Sequence, residues 1–80
     1  MVRKMQAAMR LKLEKNRFKP HWRSATPDYL WPRIHDELFE LNEAIEQGAE
    51  PAQVWAEAAD VANFIAMIAD NYEQEWFYER

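Results

Sequence analysis

Apolar residues recur along most of this chain at helical intervals, and acidic residues travel beside them. Between Arg33 and Ile45, the residues Ile34, Leu38, Leu41 and Ile45 are spaced four, three and four apart, which predicts one apolar stripe on a helix. Glu37 and Glu40 lie along one edge of that stripe. Twenty residues on, the layout returns, with Val54, Ala58, Val61 and Ile65 as the stripe and Glu57 and Asp60 on the corresponding edge. At about 100° per residue, each acidic pair falls roughly 60 to 120° from the middle of its stripe. Two such helices packed stripe to stripe would bring four carboxylates to the border of one core. Negative charge is costly there unless a cation compensates it.

The punctuation between these segments is sparse. Residues 2–18 hold neither Gly nor Pro, and Met5, Ala8, Met9, Lys12, Leu13 and Asn16 run at helical spacing. Lys19-Pro20 is the expected stop, because proline biases the residue before it away from helical geometry. His21 to Ala25 reads as a connection. Thr26-Pro27-Asp28 has the makings of a helix start, with Thr26 as cap. Pro32 would interrupt a helix begun there, so a separate turn over Pro27–Leu30 is expected, with the long helix starting near Pro32. That helix should run to about Gln47. Gly48, the only glycine, stands where a C-terminal cap needs positive φ. Pro51 is placed as the first residue of the next helix, which persists to at least Tyr72. A connection this short makes the two acidic helices antiparallel neighbours.

Composition narrows the picture. Eighty residues form one domain, 1–80, with a small core of its own. A single Gly and no Cys favour helices over a disulfide-stapled secreted fold. Four Trp, four Phe and three Tyr exceed what so small a core can bury. Trp76, Phe77 and Tyr78 are expected to pack on another subunit or on the first helix. The fold expected is all-α: a basic N-terminal helix plus two long antiparallel helices, a small helical bundle completed by oligomerisation. No apolar run approaches a membrane span or a signal peptide, which points to a cytoplasmic protein.

The net charge of −4 conceals an asymmetry. Residues 1–23 carry eight Lys or Arg against Glu14 alone, whereas residues 24–80 carry Arg33 and Arg80 against thirteen acids. Either the basic segment docks on the acidic body or its side chains meet phosphates. Nucleic acid is a poor partner for so acidic a body.

Acids three apart on a helix can reach one ion, and magnesium prefers carboxylate oxygens shared with a substrate phosphate. Glu37, Glu40, Glu57 and Asp60 are therefore the candidate ligands of a divalent metal. A di-iron bundle would need Glu-x-x-His motifs, and neither His21 nor His35 stands three residues after a Glu. With no Cys and with Ser24 as the only serine, nucleophilic catalysis has no support, and one Gly excludes a glycine-rich phosphate loop.

The two acidic motifs, Glu37-Leu-Phe-Glu40 and Glu57-Ala-Ala-Asp60, are separated by the sixteen residues Leu41 to Ala56. They resemble the E-x-x-E and E-x-x-D signature of the MazG-like all-α nucleoside triphosphate pyrophosphohydrolases. Upstream, Lys12-Leu13-x-x-Asn16-x-x-Lys19-x-x-Trp22 and Tyr29-Leu30 extend the resemblance, which covers about residues 9–71. The resemblance implies hydrolysis of a (deoxy)nucleoside triphosphate between the α and β phosphates, with Mg²⁺, or Mn²⁺ in its place, as cofactor. By position, Glu37, Glu40, Glu57 and Asp60 would hold the metal, and Glu40 would orient or deprotonate the attacking water. Lys12, Asn16 and Lys19 would meet phosphates or sugar, although an ordinary polar face explains them equally well. Trp22 would stack on a base or pack in the core, and Asn63 would reach the ligand from one turn past Asp60. Glu43 reads as an exposed acid. Asp36 stands where many members carry Glu, and the chain is shorter than most of them, so a homodimer or homotetramer would have to complete the nucleotide pocket. The alternative is a non-catalytic helical interaction module of the same fold.

Overall fold

The computed structural model describes residues 1–15 and 27–79, and every element in them is helical: α1 (Val2–Lys15), α2 (Pro27–Glu46) and α3 (Pro51–Glu79). The expected cap at Thr26, the stop at Lys19-Pro20 and the connection through His21–Ala25 lie outside the described residues, as do Asn16, Lys19 and Trp22. None of the described helices is long and apolar enough to cross a membrane.

α3 is the spine. Its 29 residues, at about 1.5 Å each, account for most of the molecule's 47 Å long dimension. Both α1 and α2 pack on it, while no Cα of α1 comes within 8 Å of one in α2. The helix directions follow from which residues meet. Arg33 with Phe64, Glu37 with Asp60 and Glu40 with Glu57 are each equidistant from the Gly48–Ala49 turn, so α2 and α3 are antiparallel. Met9 meets Asn63 and Lys12 meets Asp60. Three residues forward on α1 thus correspond to three back on α3, and these two are antiparallel as well.

The turn between α2 and α3 is built by its sequence. Gly48 has φ +70°, its N–H donates to Ile45 O (3.1 Å), and Ala49 N–H donates to Ala44 O (2.9 Å). These bonds form the glycine-terminated Schellman cap, which satisfies carbonyls the helix would otherwise orphan. Two residues later Pro51 opens α3, where its missing N–H costs nothing, and Glu50 O accepts from Gln53 and Val54 N–H.

α2 departs from expectation at both its start and its buried face. It begins at Pro27 and continues through Pro32 without interruption, so there is no separate turn. Pro32 removes one bond, to the Asp28 carbonyl, close to the helix start. Leu30 is the most deeply buried large side chain among the described residues, and its burial anchors the turn that the proline weakens. The buried face is Leu30, Ile34, Glu37 and Ala44, with Leu41 half-buried, whereas Leu38 and Ile45 are exposed. The acidic edge has rotated inward, and Glu37 sits within the packed face. On α3, Ala59, Val61 and Asn63 are buried while Ile65 is exposed, because this helix has neighbours on two sides.

The end of α3 outruns both neighbours. In these registers Met1 lies level with Asn71 and Pro27 with Asp70, so among the described residues Tyr72 and those after it extend beyond the ends of α1 and α2. Phe77 is 66% exposed, and its ring meets Trp76 edge-on at 5.3 Å between centroids.

A Cβ added at Gly48 would meet no atom within 4 Å, so a substitution there pays only for the left-handed backbone. Gly48→Ala should lower stability by about 1–2 kcal/mol, read as a drop in thermal midpoint at equal protein concentration. Gly48→Asn should lose less, because Asn tolerates that conformation.

Candidate metal centre

Three carboxylates converge where α2 faces α3. Glu37, Glu40 and Glu57 each present an oxygen, and these oxygens all lie within 4.8 Å of one another. Glu37 and Glu40 arrive from neighbouring turns of α2, and Glu57 comes from one turn before Asp60 on α3. The antiparallel register is what sets Glu40 level with Glu57. A single Mg²⁺ holding oxygens at ~2.1 Å would place adjacent ligands ~3 Å apart and opposite ones ~4.2 Å apart. Small side-chain rotations would bring this set into that range.

The environment of the cluster is unfavourable to bare anions. Glu37 is 8% exposed, and the buried oxygens Glu37 Oε2 and Glu57 Oε2 have no hydrogen-bond partner. Burial and then the charges of Glu40 and Asp60 push the Glu37 pKa up to about 7, against a lowering by Arg33. Glu57 is raised too, by burial first and then by Asp60 and Glu40. Arg33 is a weak compensator: its Nη2 stands 4.0 Å from Glu37 Oε1, the arginine is half exposed, and its guanidinium lies 5.9 Å from the Phe64 ring centre. Buried acceptors without donors and acids pushed towards neutrality are the features that a divalent cation would relieve, and oxygen donors from carboxylates are what Mg²⁺ or Mn²⁺ prefers.

Asp60, the fourth expected ligand, stands apart from this group of three. Its Oδ2 is 3.1 Å from Lys12 Nζ, with both side chains largely buried. Lys12, expected to face a phosphate, is thus engaged by a carboxylate of the cluster's rim. Asn63, expected to reach a ligand, is buried and donates its amide to Met9 O at 3.3 Å. Its Oδ1 is buried without a partner. The expectation that the basic segment docks on the acidic body holds for α1, which reaches α3 through this ion pair and hydrogen bond. Glu43, Asp36 and His35 are exposed. The burial of Glu37 and the lysine on Asp60 were not foreseen. Alternation of apolar and acidic residues placed Glu37 only at an edge, and nothing local to residue 12 announces a partner 48 positions away.

No family model, no curated protein and no solved structure matches the chain.

The raised pKa of Glu37 has a stability consequence whose sign is fixed. Its folded pKa of about 7 lies above the ordinary 4.5, so between those values the native state keeps a proton that the unfolded chain has released. Stability of the metal-free protein should therefore fall as pH rises through that window, by on the order of 3 kcal/mol for this residue. Denaturant melts should show Glu37→Gln more stable than the parent at about pH 8 and little different at about pH 4. A parent protein whose stability rises between those pH values would contradict the burial of the acid.

Proposed function

We propose that the protein is a Mg²⁺-dependent nucleoside triphosphate pyrophosphohydrolase of the MazG-like kind, releasing pyrophosphate and a nucleoside monophosphate. The observation that carries this reading is the convergence of Glu37, Glu40 and Glu57 from two antiparallel helices, with a buried oxygen on Glu37 and one on Glu57 that lack partners. These are motif positions of the sequence resemblance, so spacing and geometry support the same residues independently. A bound Mg²⁺ would supply a water of lowered pKa and neutralise charge on the phosphates.

The residues divide the remaining work by exposure. Glu37 and Glu57, the more buried pair, suit a fixed ligand role, since packing limits their rotamers. Glu40 is exposed and touches both of them. That position, one side on the cluster and one side on solvent, suits a group that orients or deprotonates an attacking water. Asp60 would join the ligand set from the α3 side. By the resemblance, Lys12, Asn16, Lys19 and Trp22 would face the triphosphate and base, and Asn63 would reach the ligand from one turn past Asp60.

Assembly follows from the opposite face of the α2–α3 hairpin. Trp31, Leu38 and Ile45 recur every seven residues on α2, and Ile65 and Tyr72 do so on α3; all five are exposed. At about 100° per residue they fall on the flank of each helix away from Glu40 and Asp60. Seven-residue apolar spacing is the pattern of a helix seam, and two hairpins joined by it give a homodimer, or a homotetramer on repetition. The same exposed face, with Phe39 beside it, is what favours the second reading, a non-catalytic interaction module.

Two measurements separate the readings. A panel of canonical and modified (deoxy)nucleoside triphosphates with Mg²⁺ should yield pyrophosphate from at least one member. Glu40→Gln should cut that rate by at least about a hundredfold, and removal of Mg²⁺ by a chelator should abolish it. No release from any member would leave the interaction module. Separately, light scattering should give two or four times the 9.6 kDa chain mass, and Leu38→Glu combined with Ile65→Glu should reduce it to the monomer while helicity persists.

A further inference from the structure

The ion pair between Lys12 and Asp60 joins a helix that could leave to a carboxylate that a cation would need. α1 has no neighbour among the described helices except α3. Its polar hold there includes Lys12 Nζ on Asp60 Oδ2 at 3.1 Å and Asn63 Nδ2 on Met9 O at 3.3 Å, one turn apart, over the half-buried Met5, Ala8 and Met9. Asp60 in turn is close enough to Glu37 and Glu57 to disfavour charge on both. The cluster is more than a set of surface acids. Glu37 is over nine-tenths buried, with one oxygen unpaired and its carboxyl directed at Glu40 and Glu57.

We propose that Lys12 is a built-in counterion that holds Asp60 until a divalent cation displaces it, so that seating of α1 and cation binding oppose each other. The inference rests on the metal-centre reading and concerns what the chain does before the metal arrives. An ammonium and a divalent ion cannot both stand against Asp60 without repelling each other, and two ligands that compete for one group are linked reciprocally. When the cation takes Asp60, Lys12 loses its partner, and its ammonium swings free beside the site, in position to meet an anionic group brought with the cation. The ion pair thus keeps the fourth ligand in reserve and ties its release to loading.

The test uses the full chain, without nucleotide. Titration with Mn²⁺, followed by calorimetry or by the spin resonance of the free ion, should show Lys12→Met binding about five- to tenfold tighter than the parent. Lys12→Arg, which keeps the charge, should stay near the parent, and Lys4→Met, which removes an exposed charge elsewhere on α1, should change nothing. Hydrogen exchange on the parent protein needs no substitution: saturating Mg²⁺ should speed exchange in α1 while slowing it around Glu37 and Glu57. A parent that binds no Mn²⁺ overturns the metal centre and the counterion role together. A parent that binds Mn²⁺, with Lys12→Met equal or weaker, or with α1 slowed by Mg²⁺, overturns the counterion role alone and leaves the metal centre standing.

Discussion

Like charges crowded at a helix–helix seam are the constraint around which this small protein is arranged. Glu37 and Glu57 lie where water is largely excluded, Glu40 touches both, and Asp60 borders them. Glu37 and Glu57 would be more comfortable in solvent, and desolvation of a carboxylate without a partner is among the costlier things a fold can do. The chain answers in part with Lys12, in part with a half-exposed Arg33, and in part by leaving acids with raised pKa values. An 80-residue chain has little stability to spare. The cost of burying such a cluster is the physical ground for the metal role proposed for it.

The rest of the architecture serves to set that cluster. Gly48 and Pro51 fix a turn of minimal length, and the turn fixes the register that makes Glu40 level with Glu57 and Glu37 with Asp60. α3 carries both other helices, so a single stretch from Glu57 to Asn63 touches the carboxylates on one flank and α1 on another. Asp60 belongs to both sets. Its bond to Lys12 is where the basic amino-terminal charge, conspicuous in composition, is brought against the acidic body.

Much of this was legible in the sequence, and what was missed has a common cause. Helical class, the Gly48 cap, the Pro51 start and the antiparallel pairing of the acidic helices all follow from local rules. The buried face of α2 does not. Its apolar positions span a wide arc, from Leu30 and Ile34 round to Leu38 and Ile45, and periodicity cannot say which part of that arc this chain's own α3 will cover. It covers the part containing Glu37 and the small Ala44, leaving Leu38 and Ile45 outside. Likewise α3 reads as one stripe but has two neighbours, so Ala59 and Asn63 are buried off that stripe. At Pro32 the local rule counts the loss of one hydrogen bond but not the burial of Leu30, which offsets it. The engagement of Lys12 and Asn63 depends on long-range docking, which no spacing rule reaches.

The projecting end of α3 has a consequence of its own. Eight residues of isolated helix would melt in water, because nucleation is costly and a segment that short does not recover the cost. Here the nucleus is already supplied by the supported turns, and Tyr72 to Glu79 need only propagate it. The extension is therefore ordered in advance, holding Tyr72 and Trp76 in line with Ile65. Whatever surface comes to cover those rings meets a preformed rod and is spared the conformational entropy of winding one.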